Sequence, residues 1–176
     1  LVLNLTRRVS MPTLIKDGII SENNWHFVPR DTDLAGVIDH SGNNSLVHIA
    51  LWQEQKSDLL ASNKKIGVWL DSDDDAYDLA SDVSDLPLIG VNFPVFKDGR
   101  SFSNAAILRQ RMSFKGELRA IGDVLRDQMF YMKKCGINSF ELSDAIDAEE
   151  ALAAFTDFAD NYQSTVEDPA PLFRRR

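Results

Sequence analysis

The chain is short of the residues that announce chemistry on their own. Cys135 is the single cysteine in 176 residues, which excludes an internal disulfide framework, a Cys-rich zinc site and a four-thiolate iron–sulfur cluster built by this chain alone. Histidine is scarce as well. His26, His40 and His48 show no metal-ligand spacing, and packing or surface roles suit each of them. Positive charge is in deficit, with 19 Lys and Arg against 27 Asp and Glu, and the net charge of −8 lacks the footprint that nucleic acid or anionic lipid demands. No apolar run reaches the ~20 residues that cross a bilayer, and no signal-peptide pattern is visible. Neither a G-x-G-x-x-G phosphate fingerprint nor a G-x-S-x-G nucleophile elbow occurs. What remains, 44% hydrophobic and 26% charged residues, is the composition of one globular domain. The expected setting is the cytoplasm, without nucleic-acid or membrane partners.

Residues 1–10 hold a short Leu/Val alternation, then Arg7 and Arg8, and are expected to form a disordered extension ahead of Met11-Pro12. At the other end Asp168-Pro169-Ala170-Pro171 stops any helix, leaving 163–176, with Arg174, Arg175 and Arg176, as a flexible tail. Thr13–Lys16 and Trp25–Val28 flank a loop opened by Asp17-Gly18 and read as a two-stranded β appendage. With the polar linker Asp31–Ser45 it fills residues 11–45. The α/β domain then covers 46–162. Its candidate strands are Leu46–Leu51, Ile66–Leu70, Leu88–Phe93, Leu118–Ile121 and Ser139–Leu142, each followed by a segment of helical periodicity. Asp74 or Asp75 is placed to cap a helix burying Ala76, Leu79, Ala80 and Val83, and Ser103 to cap the next. A third helix ends at Cys135-Gly136, where glycine suits a left-handed C′ residue. The last opens with Asp147 and Glu150 in a capping box and buries Leu152, Phe155, Phe158 and Ala159.

About five βα units imply right-handed crossovers and a parallel sheet. Two architectures are compatible with that count, a partial (β/α) barrel and an open doubly wound sheet. The second would give near-continuous apolar strands. Here Asn92, Arg119 and Glu141 fall at one parity of their strands and share one face, which favours the partial barrel. A buried Arg119 requires a partner, with Glu141 on a neighbouring strand the first candidate.

In parallel α/β proteins ligands sit on loops leaving the carboxyl ends of strands. The first such loop, Asp71-Ser72-Asp73-Asp74-Asp75, offers oxygen ligands but not calcium-loop spacing; a hydrated helix start is the simpler reading, and no metal site is expected. The second, Pro94 to Ser103, sets Asp98-Gly99-Arg100 and the amides around Ser101 and Ser103 before a helix, a plausible anion site. The third places Asp123 at a strand end and Arg126 just beyond. Asp98, Arg100 and Asp123 are the candidate catalytic residues. Arg119, Arg126, Ser101, Ser103, Asn92 and Glu141 are the candidate ligand-binding ones.

The runs FPVFKDGRSFSNAAILRQR and GELRAIGDVLRDQMFYMKKCGINSFEL resemble the bacterial family called domain of unknown function 934, and the likeness extends more loosely over Met11 to Phe158. Phe93, Pro94, Phe96, Asp98, Gly99, Arg100 and Ser103 match one family segment, and Arg119-Ala120 with Gly122 to Gln128 match another. Members occur beside assimilatory sulfur genes and are labelled as oxidoreductases of sulfite reduction. The resemblance implies an accessory component or oxidoreductase of that process, with the sulfite reductase haemoprotein as partner and Arg100, Arg119 and Arg126 available to a small anion or to a partner surface. Multi-electron reduction would need a bound flavin or nicotinamide. No fingerprint for either is present, and the cofactor stays open. The alternatives are a small (β/α) enzyme acting on an anionic metabolite, with Asp98 or Asp123 as acid/base, and a non-catalytic interaction module.

Overall fold

The computed structural model describes residues 13–156 and 165–166. The expected 1–10 extension, the end of the last helix at Phe158 and Ala159, and all but two residues of the 163–176 tail lie outside the described residues. Eight strands form one sheet: β1 (Thr13–Lys16), β2 (Ile19–Ser21), β3 (His26–Phe27), β4 (Asn44–His48), β5 (Lys65–Leu70), β6 (Leu88–Phe93), β7 (Glu117–Gly122) and β8 (Ser139–Leu142). The helices are α1 (Leu34–Asp39), α2 (Ile49–Ala61), α3 (Arg100–Gln110), α4 (Arg126–Lys134) and α5 (Ala148–Ala153).

Across the sheet the order is β2-β1-β8-β7-β6-β5-β4-β3. Strands β3 to β8 run parallel, and β1 pairs antiparallel with β8. Because β3 to β8 succeed one another without a reversal, each right-handed crossover lays its connection on the same face. The result is a curled half-barrel with the helices on its convex face only. A doubly wound sheet would need a switch in strand order to send helices to both sides. Alternation along the strands then separates two cores. Val47, Val68, Val91, Leu118 and Phe140 join the main core with Trp52, Leu108 and Met129. Leu46, Trp69, Leu88 and Ile121 point to the concave face and form a second cluster, against which Trp25 packs.

The concave face is closed by a strap. Only residues 22–25 connect β2, on one edge of the sheet, to β3, on the other. Eight strands laid flat would set those edges roughly 33 Å apart, whereas five Cα steps reach about 18 Å at most. The sheet must therefore curl, and the strap must pass through its interior. Asn23, nearly buried, docks on Arg119 and Glu141 at the middle of the concave face. Two glycines make room for the aromatic filling. A Cβ on Gly67 would sit 3.1 Å from Trp25 Cζ3, and one on Gly90 would sit 3.0 Å from Trp69 Cβ.

Several local features depart from the sequence expectation. Asp17 (φ 52°) and Gly18 (φ 78°) make a tight two-residue turn of the hairpin kind, so Thr13–Lys16 pairs with Ile19–Ser21 and not with Trp25–Val28. The N-terminal strands are the two edges of the one sheet. Strand β4, expected to run on from Leu46 to Leu51, stops at His48, whose Nδ1 accepts the Ala50 amide and caps α2, so Ile49–Leu51 are helical. Asp98 takes the Arg100 amide, so α3 starts three residues before the expected Ser103 cap. The segment after Asp75 closes only a short 3₁₀ turn, Ala76–Leu79, and Ala80 is exposed. Gly136 has φ +95° after α4, as its C′ position requires, and its carbonyl accepts from Arg109 Nε at 2.7 Å.

Removing the strap's anchor, Asn23→Ala, strands one Arg119 N–H and leaves Glu141 without its amide donor. We expect a loss of about 2–3 kcal/mol in urea unfolding; a loss below about 0.5 kcal/mol would show that the strap does not hold the interior.

Candidate functional site at the carboxyl edge

Strand ends β4, β5 and β6 carry a continuous polar network. His48, the last residue of β4, is 1% exposed and stands edge-on to Trp69. Burial pushes its pKa down, more than Asp74 pulls it up, so the ring is neutral. With Nδ1 accepting the Ala50 amide, the proton sits on Nε2, which makes a 2.9 Å contact with Asp74 Oδ2 that is too misaligned to be a full hydrogen bond. Asp74 Oδ2 also accepts the Asp71 amide at 2.7 Å, and Asp71 Oδ1 accepts Asn92 Nδ2 at 2.9 Å. Arg30 approaches Asp71 and Asp73 at 4.0 and 3.6 Å.

The network continues into the loop after β6. Arg100 donates through Nε and Nη2 to Asp98 at 3.0 and 2.7 Å, and through Nη2 to Ser72 Oγ at 2.9 Å. The guanidinium remains largely exposed. Its hydrogen bonds, followed by that of Ser72, hold the Asp98 carboxyl far below the usual carboxylate range. Asp98 thus fills the helix start and the arginine fork as an internal anion. Its ionised form is held by the guanidinium, the Ser72 hydroxyl and the Arg100 amide.

The other expected residues divide between edge and interior. Asp123 leaves the same edge one strand along, its amide donating to Phe93 O at 2.7 Å, and its side chain is exposed. Arg126 turns toward α5, with Nε 3.1 Å from Glu150 O. Ser101 is buried and its hydroxyl donates to Asn92 O, pinning α3 to β6, while Ser103 is exposed on α3. Arg119 lies in the interior, not at the edge. It is 1% exposed and donates to Glu117 Oε1 from Nε and Nη2 (2.9 and 2.6 Å) and to Asn23 from Nη1 (2.8 Å). Glu141, the expected partner, stands 3.8 Å from Nη1, so Glu117 two residues back on the same strand is the closer carboxylate. Arg119 is accordingly a structural cation with its donors committed inside the fold.

Between edge and interior lies a cavity of about 380 Å³, lined by Phe27, Asn92, Ile121, Gly122, Glu141, Leu142 and Ser143. At Gly122, φ +88° and a close approach to β6 exclude a side chain, because an added Cβ would strike Asn92 Oδ1 and stand 2.6 Å from Phe93 O. A somewhat larger cavity, about 440 Å³, lies at the amino ends between α4, α5 and the β1–β2 turn, away from the polar network. Among the described residues no group of three His, Cys, Asp or Glu side chains is arranged to hold a metal ion, and no helix is long and apolar enough to cross a membrane.

Fold and site together define a curled (β/α) half-barrel whose convergent polar groups lie at the carboxyl ends of its parallel strands. The chain belongs to a family of bacterial proteins of unknown function, DUF934, whose model matches residues 67–173. The matched span begins inside β5, so the strap and β1 to β4 precede it. Neither the curated proteins nor the solved structures that were searched give a match.

Two measurements probe this geometry. Gly122→Ala should cost about 3 kcal/mol through strain and overlap, read as a lowered urea midpoint, and an unchanged midpoint would contradict the close approach. The second concerns Glu141. Burial raises its pKa against the pull of Arg119 and Asn23, so the folded state holds its proton more tightly than the unfolded chain. Ionisation of Glu141 therefore opposes folding, and the penalty grows as pH climbs from the unfolded value through the folded one. Glu117 runs the other way: burial is outweighed by Arg119 and Lys16, so its contribution is complete above the ordinary range and fades as pH falls through the lowered value. Glu141→Gln should gain stability relative to wild type as pH rises from the ordinary carboxylate range through the raised value, whereas a pH-independent difference would refute the raised value.

Proposed function

We propose that the protein is an accessory component of assimilatory sulfite reduction, working from the carboxyl edge of the half-barrel beside the sulfite reductase haemoprotein. Arg100 is its contact for a small anion or for a partner's carboxylate. The reading draws on the family resemblance for the process and on one observation for the contact. The exposed Arg100 guanidinium is held rigid by Asp98 and Ser72, while among the described residues its Nη1 makes no hydrogen bond. A guanidinium fixed on one side, with only Nη1 uncommitted among the described residues, suits a charge-assisted contact with a single oxygen of an oxyanion or carboxylate. An incoming anion meets Asp98 as a competitor, which favours weak and reversible contact. Cys135 has no part in this reading, since it is buried and burial pushes its thiol pKa up, leaving little thiolate.

The test is growth on sulfate as sole sulfur source in cells that require the wild-type gene. Arg100→Ala should abolish growth on sulfate while leaving growth on cysteine intact, with the variant still folded and present at wild-type level. Asp98→Asn, which frees the fork, should retain growth. Normal growth of the Arg100→Ala strain on sulfate would remove Arg100 from the function.

A further inference from the structure

We propose that the cavity beneath the carboxyl edge binds a small organic cation, an ammonium or amidinium group carried on an apolar body, with Glu141 as its counter-ion. This site is separate from the Arg100 contact and stands without it. The argument begins with the hydrogen-bonding capacity of the walls. Glu141 Oε2 is engaged by Asn23 at 3.0 Å and faces Arg119 at 3.8 Å, while among the described residues Oε1 accepts no hydrogen bond. Asn92 has committed Nδ2 to Asp71, and its Oδ1 likewise accepts nothing among the described residues. The free polar atoms of these two side chains are thus chiefly acceptors, and the ligand that complements them must bring donors.

Charge points the same way. Arg119, the nearest interior guanidinium, is spent on Glu117 and Asn23. Above the cavity the loops after β5, β6 and β7 carry Asp71, Asp73, Asp74, Asp98 and Asp123. Arg30, Lys97 and Arg100 answer them only in part, so the loops over the mouth carry net negative charge, which favours a cation. Apart from Ser143, whose hydroxyl can accept as well as donate, the remaining walls are apolar. Ile121 and Leu142 are buried, and Phe27, 38% exposed, adds an aromatic ring to the lining, a group that attracts cations. A volume of about 380 Å³ accommodates a single ring with its charged substituent.

The full chain can be titrated with benzylammonium and benzamidinium, using benzoate and benzyl alcohol as anionic and neutral isosteres. Both cations should raise the melting temperature and shift the ¹⁵N–¹H resonances of Phe27, Gly122 and Ser143, with the isosteres binding roughly tenfold more weakly or worse. Glu141→Gln should weaken the cations by roughly tenfold and leave the isosteres unchanged. Its folding is checked by the same spectrum, and Phe27→Leu gives an independent variant that should weaken the cations while sparing the interior charges. The proposal is overturned by benzoate or benzyl alcohol binding as tightly as the cations, by resonance shifts confined to other parts of the molecule, by equal cation affinity in wild type and Glu141→Gln, or by no binding at millimolar concentrations.

Discussion

Four residues, 22 to 25, joining strands on opposite edges of an eight-stranded sheet, set the shape of this molecule. A connection that short forbids a flat sheet and leaves no path except through the concave face. Everything inside follows from admitting a chain segment there. Gly67 and Gly90 lack side chains where Trp25 and Trp69 need volume. Polar backbone brought indoors requires polar partners, and Asn23 meets that need by accepting the Trp25 amide and Arg119 while donating to Glu141.

The charges of the interior are thereby explained as a set. Arg119 and Lys16 face Glu117 and Glu141 across β1, β7 and β8, and each carboxylate contacts a cation. Glu117, close to both cations, is stabilised in its ionised form; Glu141, farther from Arg119, is governed by its burial. The asymmetry leaves one carboxyl turned toward a cavity whose other surfaces are largely apolar. At the edge above, by contrast, charges are bound to their immediate neighbours, Asp98 with Arg100 and Asp71 with Arg30, and a ligand there must compete with existing pairs.

Much of the architecture was legible in the residues because it rests on short-range periodicity. The β6 and β8 boundaries, the Gly136 helix end and the Asp147 cap are local patterns. The shared face of Asn92, Arg119 and Glu141 follows from strand parity, which favours the half-barrel over a doubly wound sheet. What escaped depends on contacts between distant segments. Nothing around Asn23 signals that its amide will meet residues 96 and 118 positions away. The strand-like Trp25–Val28 gives no hint that its partner is β4 and not β1. At the site, Asp98 and Arg100 were visible as a turn before a helix. The Ser72 link, the His48–Asp74 contact and the enclosure of Arg119 required the strand order. His48 carried one readable signal, its place at the polar parity of a strand end.

The route of residues 22–25 also dictates an order of assembly. Its anchors, Arg119 and Glu141, are made late in synthesis, so the segment that fills the interior waits for strands the ribosome has not yet produced. Closing loops of about a hundred residues carries an entropic penalty that local helix formation does not. Closure of the half-barrel therefore rests on pairings of long sequence separation, the kind that cost the most chain entropy to make.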